Sequence, residues 1–224
     1  MKVWVKGQGT TPITLTQSNY VGGGGEGNVY EKNGTAYKIY HDPARMLALG
    51  KIQELAAIQD PRVVKPLNVL LDEHNKPIGY TTKFVPNAYT LCQTFTKDFR
   101  DRTGLDHKKV GDLVRKLREG VQNVHGAQVL IVDLNEMNFL VDHGFADVFF
   151  IDVDSYQTRG FPATAIMPSI RDWTVTPPNF TENSDWFSFG IVSYQMFTGI
   201  HPYKGKHPTV KGLEERMKAG ISVF

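Results

Sequence analysis

The stretch from Ser184 to Gly199, SDWFSFGIVSYQMFTG, carries apolar side chains on almost every face at helical spacing. A helix of that kind is stable only when other elements surround it, so any fold open to this chain must bury the segment inside a larger body. Gly199 supplies the stop, because glycine takes the left-handed conformation that ends a helix without strain.

The period of the sequence changes along the chain. Residues 13 to 40 read as short strands broken by glycine: ITLTQSNYV, the run Gly22 to Gly25, NVYEK and TAYKIY. Asn33-Gly34 marks a hairpin, since both residues tolerate the positive φ of a type I′ turn, and a three-stranded antiparallel start follows. From Pro43 to Gln59 the apolar positions Met46, Leu47, Ile52, Leu55, Ala56 and Ile58 predict a helix, with Asp42 as N-cap and Pro43 at its first position. Two more strand-like runs, VVKPLNVLLD and PIGYTTKFV, are separated by the turn-rich EHNK. Beyond residue 90, Val110, Leu113, Val114, Leu117, Val121 and Val124 recur at three- and four-residue spacing and predict an amphipathic helix over 107–125. Short β pieces at NFLV and DVFFID precede the buried helix, and a boundary between two lobes is expected near residues 85 to 90.

Composition narrows the function. A net charge of +2, with Lys and Arg spread along the chain, gives no electrostatic support for binding nucleic acid or a membrane surface. The single cysteine, Cys92, excludes an internal disulfide and a cysteine-based zinc site, and a reducing, cytoplasmic setting is expected. No apolar run approaches the roughly 20 residues needed to span a bilayer. The 224 residues fit one large domain or two small lobes.

Gly22, Gly24, Gly27 and Val29 fit G-x-G-x-x-G-x-V between two predicted strands, where missing side chains let backbone N–H groups approach phosphates. A merely flexible hairpin is the other reading of four consecutive glycines. A dinucleotide-binding fold is disfavoured, because that fingerprint opens into a helix and NVYEKNGTAYK is a strand and hairpin. Strand alternation puts Ala36 and Lys38 on one face, the first leaving room for a flat base and the second offering charge to phosphates. Glu54, the only acid of the following predicted helix, is the candidate carboxylate to orient Lys38.

After the long helix come Ile131-Val132-Asp133-Leu134-Asn135-Glu136-Met137-Asn138, two short strands, and Ile151-Asp152-Val153-Asp154. This order resembles the protein-kinase superfamily, with its Asp-x-x-x-x-Asn catalytic loop and the aspartate of its Asp-Phe-Gly position. Ser184-Asp185-Trp186-Phe187-Ser188-Phe189-Gly190 looks like the start of that family's buried helix. The resemblance covers roughly residues 13 to 220 and implies a two-lobed α+β fold. Residues 1–86 would form an N-lobe of antiparallel sheet plus one helix, and residues 87–224 a mainly helical C-lobe missing the family's last helices, as in small bacterial or phage kinase-like domains.

The implied activity is ATP- and Mg²⁺-dependent transfer of a γ-phosphoryl group to a hydroxyl, as in a serine/threonine protein kinase, with ATP and a protein substrate as partners. By the match, Asp133 would orient the acceptor hydroxyl, and Asn138 and Asp152 would ligate Mg²⁺. Lys38 with Glu54 would hold the α- and β-phosphates, and Asp185 would hydrogen-bond the catalytic-loop backbone. Thr82, Lys83 and Val85 would border the adenine as the hinge. Several positions depart from the family. Ile131 and Val132 replace His-Arg, which removes the partner of an activation-loop phosphate. Asn135 replaces a lysine, Asp154 stands in place of the Asp-Phe-Gly glycine, and Thr176-Pro177-Pro178 replaces Ala-Pro-Glu. These departures motivate the alternative of a pseudokinase or scaffold that binds nucleotide or a partner without turnover.

Overall fold

In the computed structural model, which describes residues 1–223, the chain divides into two units. One comprises Met1–Ala57 with Val64–Pro86, the other Ile58–Val63 with the chain from Asn87 onward.

Alternating apolar residues build the sheet of the first unit. Its strands are β1 (Lys2–Val5), β2 (Ile13–Thr14), β3 (Tyr20–Gly23), β4 (Gly27–Lys32), β5 (Thr35–Tyr40), β6 (Asn68–Leu71) and β7 (Pro77–Lys83). They lie in the order β2-β1-β6-β7-β5-β4-β3, every pair antiparallel. Val3, Val5, Leu15, Tyr37, Ile39 and Leu70 pack into one buried cluster on one side of it. Each fully buried side chain of this size stabilises the unit by about 1.5–3 kcal/mol relative to exposure. The hairpin at Asn33 and Gly34 has φ of 53° and 77°, the left-handed pair that its sequence calls for.

Two sequence expectations for this unit are corrected. The helix expected over 43–59 is split: Asp42 Oδ1 accepts the Ala44 N–H at 3.0 Å and caps a single 3₁₀ turn, Pro43–Arg45. The chain then runs extended at Met46 and Ala48 before α1 (Leu49–Leu55), which buries Lys51, Ile52 and Leu55. The Asp-Pro signal thus serves one turn, and α1 begins at Ala48 without a side-chain cap. The sheet is also wider than the sequence implied, because Lys2–Val5 forms a strand pairing with both β2 and β6.

The second unit begins with β8 (Ala88–Thr90), then α2 (Lys97–Thr103) and α3 (His107–Gly126). After α3 come β9 (Phe139–Asp142), β10 (Val148–Phe150), α4 (Glu182–Thr198) and α5 (Leu213–Lys218), and the three strands form a small sheet in the order β10-β9-β8. Helix α3 turns Val110, Leu113, Leu117, Val121 and Val124 inward, the stripe its spacing dictates. Gly120 has no room for a side chain, since a Cβ there would sit 2.3 Å from the Phe150 ring. The α4 helix ends at Gly199 with φ 75°, and its N–H donates to Gln195 O.

Residues 58–63 are tied into this unit by charge. Arg62 donates to Asp60 Oδ2 at 2.7 Å and Oδ1 at 3.0 Å, and Asn123 of α3 adds a third bond to Oδ2 at 2.7 Å. Burial alone would raise the Asp60 carboxyl. The Arg62 and Asn123 hydrogen bonds outweigh it and bring the carboxyl down to about 2.

Candidate active site

In the first unit, strand register puts Val29, Ala36, Lys38 and Thr82 in facing positions. Lys38 stands opposite Val29 on β4 and Tyr80 on β7, while Ala36 stands opposite Thr82. With Tyr37 and Ile39 committed to the core on the other face, Ala36 and Lys38 share a side. The Lys38 ammonium lies 5.2 Å from the Tyr40 ring centre and 5.8 Å from that of Tyr80. Tyr80 meets the Tyr40 ring edge-on.

The glycines divide by role. At Gly27 a Cβ would come 2.2 Å from the Ile39 carbonyl oxygen, so close strand packing requires glycine there. Gly22 and Gly24 have open space beside them, and the tip is closed by the Gly24 N–H donating to Gly27 O at 3.0 Å. Residue types without side chains at an open tip suit a ligand that approaches the backbone closely.

Glu26, at this tip, places its Oε2 3.3 Å from Lys38 Nζ; its side chain is 65% exposed while that of Lys38 is 15% exposed. Glu54, the candidate carboxylate for Lys38, lies half-buried in the last turn of α1. The hairpin folds Glu26 back over β5, a contact that local sequence spacing does not reveal. Thr82 and Lys83 close β7, with Thr82 Oγ1 donating to Lys83 O, and Val85 follows in irregular chain.

The second unit holds the loop between α3 and β9, and its wiring starts at Asp185. This residue is 0% exposed. Its Oδ2 accepts the Ile131 N–H at 2.8 Å and lies 2.8 Å from His125 Nε2, while its Oδ1 accepts the Val132 N–H at 2.8 Å. The hydrogen bonds to the loop are those its sequence position implied. His125, in the last turn of α3, is a further partner.

The bonds to Asp185 hold a strained backbone. Val132 is β-branched and sits at φ 63°, a left-handed conformation costing of order 1–3 kcal/mol. Its buried side chain packs with Ala163 and Phe180, so the loop and the 163–180 segment are locked together. Ser188 Oγ and the His201 ring donate to Ile170 O and Ser169 O, each at 2.7 Å, which fixes that segment further.

From this base Asp133 projects half-buried. Asn138 Nδ2 donates to the Asp133 carbonyl at 2.9 Å, leaving Asn138 Oδ1 as the oxygen it can offer a cation. The β9–β10 ladder pairs Phe139 with Phe150, and the Ile151 N–H donates to Asn138 O at 2.9 Å. Asp152 is therefore next along the chain from the residue bonded to Asn138. It is exposed, with φ 58° and ψ 35°. Asp154, by contrast, is buried. Burial, reinforced by the charges of Asp185 and Asp152, pushes the Tyr156 phenol well above its ordinary range.

An amide oxygen and an exposed carboxylate are hard oxygen donors of the kind Mg²⁺ accepts. Among the described residues no three His, Cys, Asp or Glu side chains converge as a ready metal centre. A cation at Asn138 and Asp152 would thus depend on oxygens brought by its ligand.

A mixed α+β chain with an antiparallel sheet, several helices and a loop of this design is compatible with a kinase-like fold. No family model matches the chain. Over 169 residues, 73% of its length, it is 22% identical to a probable serine/threonine-protein kinase of Dictyostelium discoideum, 12% of which is covered. Over 96 residues, 41% of its length, it is 25% identical to ribosomal protein S6 kinase alpha-2 of Mus musculus, 13% of which is covered. The matched segments span about an eighth of each relative, and they establish a distant, kinase-like relationship. No helix among the described residues is long and apolar enough to cross a membrane.

Proposed function

We propose that this chain is an ATP–Mg²⁺-dependent phosphotransferase that transfers the γ-phosphoryl group to a serine or threonine hydroxyl of a protein. The observation that carries this reading is the loop itself: Asp133 and Asn138 tied by 2.9 Å through side chain to backbone, Asn138 bonded to the residue before Asp152, and the whole anchored on buried Asp185.

In this reading residues 1–86 supply the phosphate-binding face, with the backbone at Gly22, Gly24 and Gly27 and the ammonium of Lys38. Val29 and Ala36 form the apolar floor, and Thr82, Lys83 and Val85 border the base. Residues 87–224 supply the transfer chemistry. Asp133 orients the acceptor hydroxyl, and Asn138 Oδ1 and the Asp152 carboxylate hold Mg²⁺. The ion, when bound, neutralises phosphate oxygens and fixes their direction. Glu54 is assigned to support Lys38 once Glu26 has given way to phosphate. Transfer of this type asks the protein mainly for positioning and charge, which a pre-ordered loop provides.

The alternative is a pseudokinase that binds nucleotide without turnover, favoured by Asn135, which puts no positive charge beside Asp133. Incubation with ATP and Mg²⁺ followed by mass spectrometry of the protein separates the two. Phosphate on wild type but not on Lys38→Met or Asp152→Ala supports the transferase, and nucleotide-dependent stabilisation without any phosphate supports the alternative.

A further inference from the structure

Asn135 stands two residues after Asp133, and its side chain is almost wholly enclosed, at 2% exposure. Its Nδ2 donates to Asp133 Oδ2 at 2.9 Å, and its Oδ1 accepts the Met137 N–H at 2.9 Å. The opposite oxygen, Asp133 Oδ1, accepts the Met167 N–H at 2.8 Å, from the segment that Ser188 and His201 fasten. The Asp133 carboxylate is thereby gripped on both sides by neutral donors: Oδ2 by Asn135 and, more loosely at 3.4 Å, by Asn138 of its own loop, and Oδ1 by the 163–170 segment.

We propose that Asn135 is the positioning residue for Asp133 in the transfer reaction. The proposal rests on the phosphotransferase reading. A lysine at this place would reach outward as a charge. The amide works inward as a two-ended strut: one end is pinned to the Met137 backbone and the other holds a carboxylate oxygen. A free carboxylate rotates about its last bond, whereas one held at both oxygens presents a single edge to an acceptor hydroxyl. Asn135 therefore offsets the missing charge by fixing the direction of Asp133, and it keeps Asp133 an orienting group.

The substitution Asn135→Asp separates this role from loop support, because aspartate retains the oxygen that accepts the Met137 N–H and loses the donor to Asp133. The expected result for both Asn135→Asp and Asn135→Ala is a kcat for phosphate transfer reduced by about tenfold to a hundredfold, with KM for ATP within about twofold of wild type. Wild-type turnover in Asn135→Asp would overturn the proposal and leave the phosphotransferase reading standing. Absence of transfer by wild type would reject that reading and the proposal together.

If the Asn135 variants do not fold, NMR of the wild-type chain beside Asp133→Asn carries the test. The Asn135 side-chain amide protons should exchange slowly with water and shift when Asp133 is replaced by Asn. Fast exchange with no shift would overturn the proposal.

Discussion

Lys38 and Asp133 are held by opposite means. Lys38 rises from a sheet strand and meets the largely exposed carboxylate of Glu26 at the hairpin tip, a contact whose acidic side stays in solvent and costs little to undo. Asp133 rests on hydrogen bonds that lead inward to a fully buried carboxylate, through a valine held in a strained conformation. The difference teaches where each half can yield. In the proposed function the hairpin has to admit and release phosphate, so a weak contact at its tip suits it. A loop that orients reacting groups gains from being over-determined by the core.

The largest effect that could break this contrast is at Asp185. Asp185→Ala leaves the Ile131 and Val132 N–H groups and the His125 ring without their acceptor, and it frees Val132 to relax. A loss of about 3–5 kcal/mol in urea unfolding is expected, with transfer abolished. A loss below about 1 kcal/mol would show that the loop does not depend on the core. Arg62→Met comes next: it leaves the Asp60 carboxylate without its cation, held only by Asn123 and the residue-62 N–H, and should cost about 3 kcal/mol of stability. Lys38 and the hairpin lie outside that network, so the Glu26 contact should be unchanged, which the salt dependence of nucleotide binding can check.

Acid reaches the same network more gently. The Asp60 carboxyl is lowered in the folded chain to about 2 from an ordinary 3.8. Its contribution is complete above pH 3.8 and fades as pH falls toward 2, amounting to about 2 kcal/mol at most. Urea midpoints between pH 5 and pH 2 should fall accordingly, and Asp60→Asn should flatten that part of the profile. The smallest effect belongs to the hairpin: Glu26→Gln removes the competing anion from Lys38 and should tighten nucleotide binding by up to about fivefold in calorimetry. A larger change would mean that the tip is more rigid than its exposure implies.

Much of this organisation is legible along the chain because it is periodic or local. The α3 stripe, the Asn33-Gly34 hairpin and the Gly199 stop each depend on residues within a few positions of one another. What escaped reading depends on distant partners. Lys2–Val5 is too short to announce itself and becomes a strand only between β2 and β6. The Asp42-Pro43 signal was real, yet nothing near it states that the helix stops after one turn. In the candidate site, Asp185 was legible as a buried carboxylate seeking the loop, but His125 lies 60 residues away and joins only when α3 packs on α4. Glu26 reaches Lys38 through a hairpin fold and Asn135 acts through a side-chain rotamer, and neither geometry is written in spacing.

Calorimetric titration of a non-hydrolysable ATP analogue, with and without Mg²⁺, tests the proposed nucleotide binding most directly when wild type is set beside Lys38→Met and Asp152→Ala. Saturable binding that needs Mg²⁺ and weakens in both variants is the expected result. Binding by wild type that neither substitution alters, or no binding at all, would contradict it.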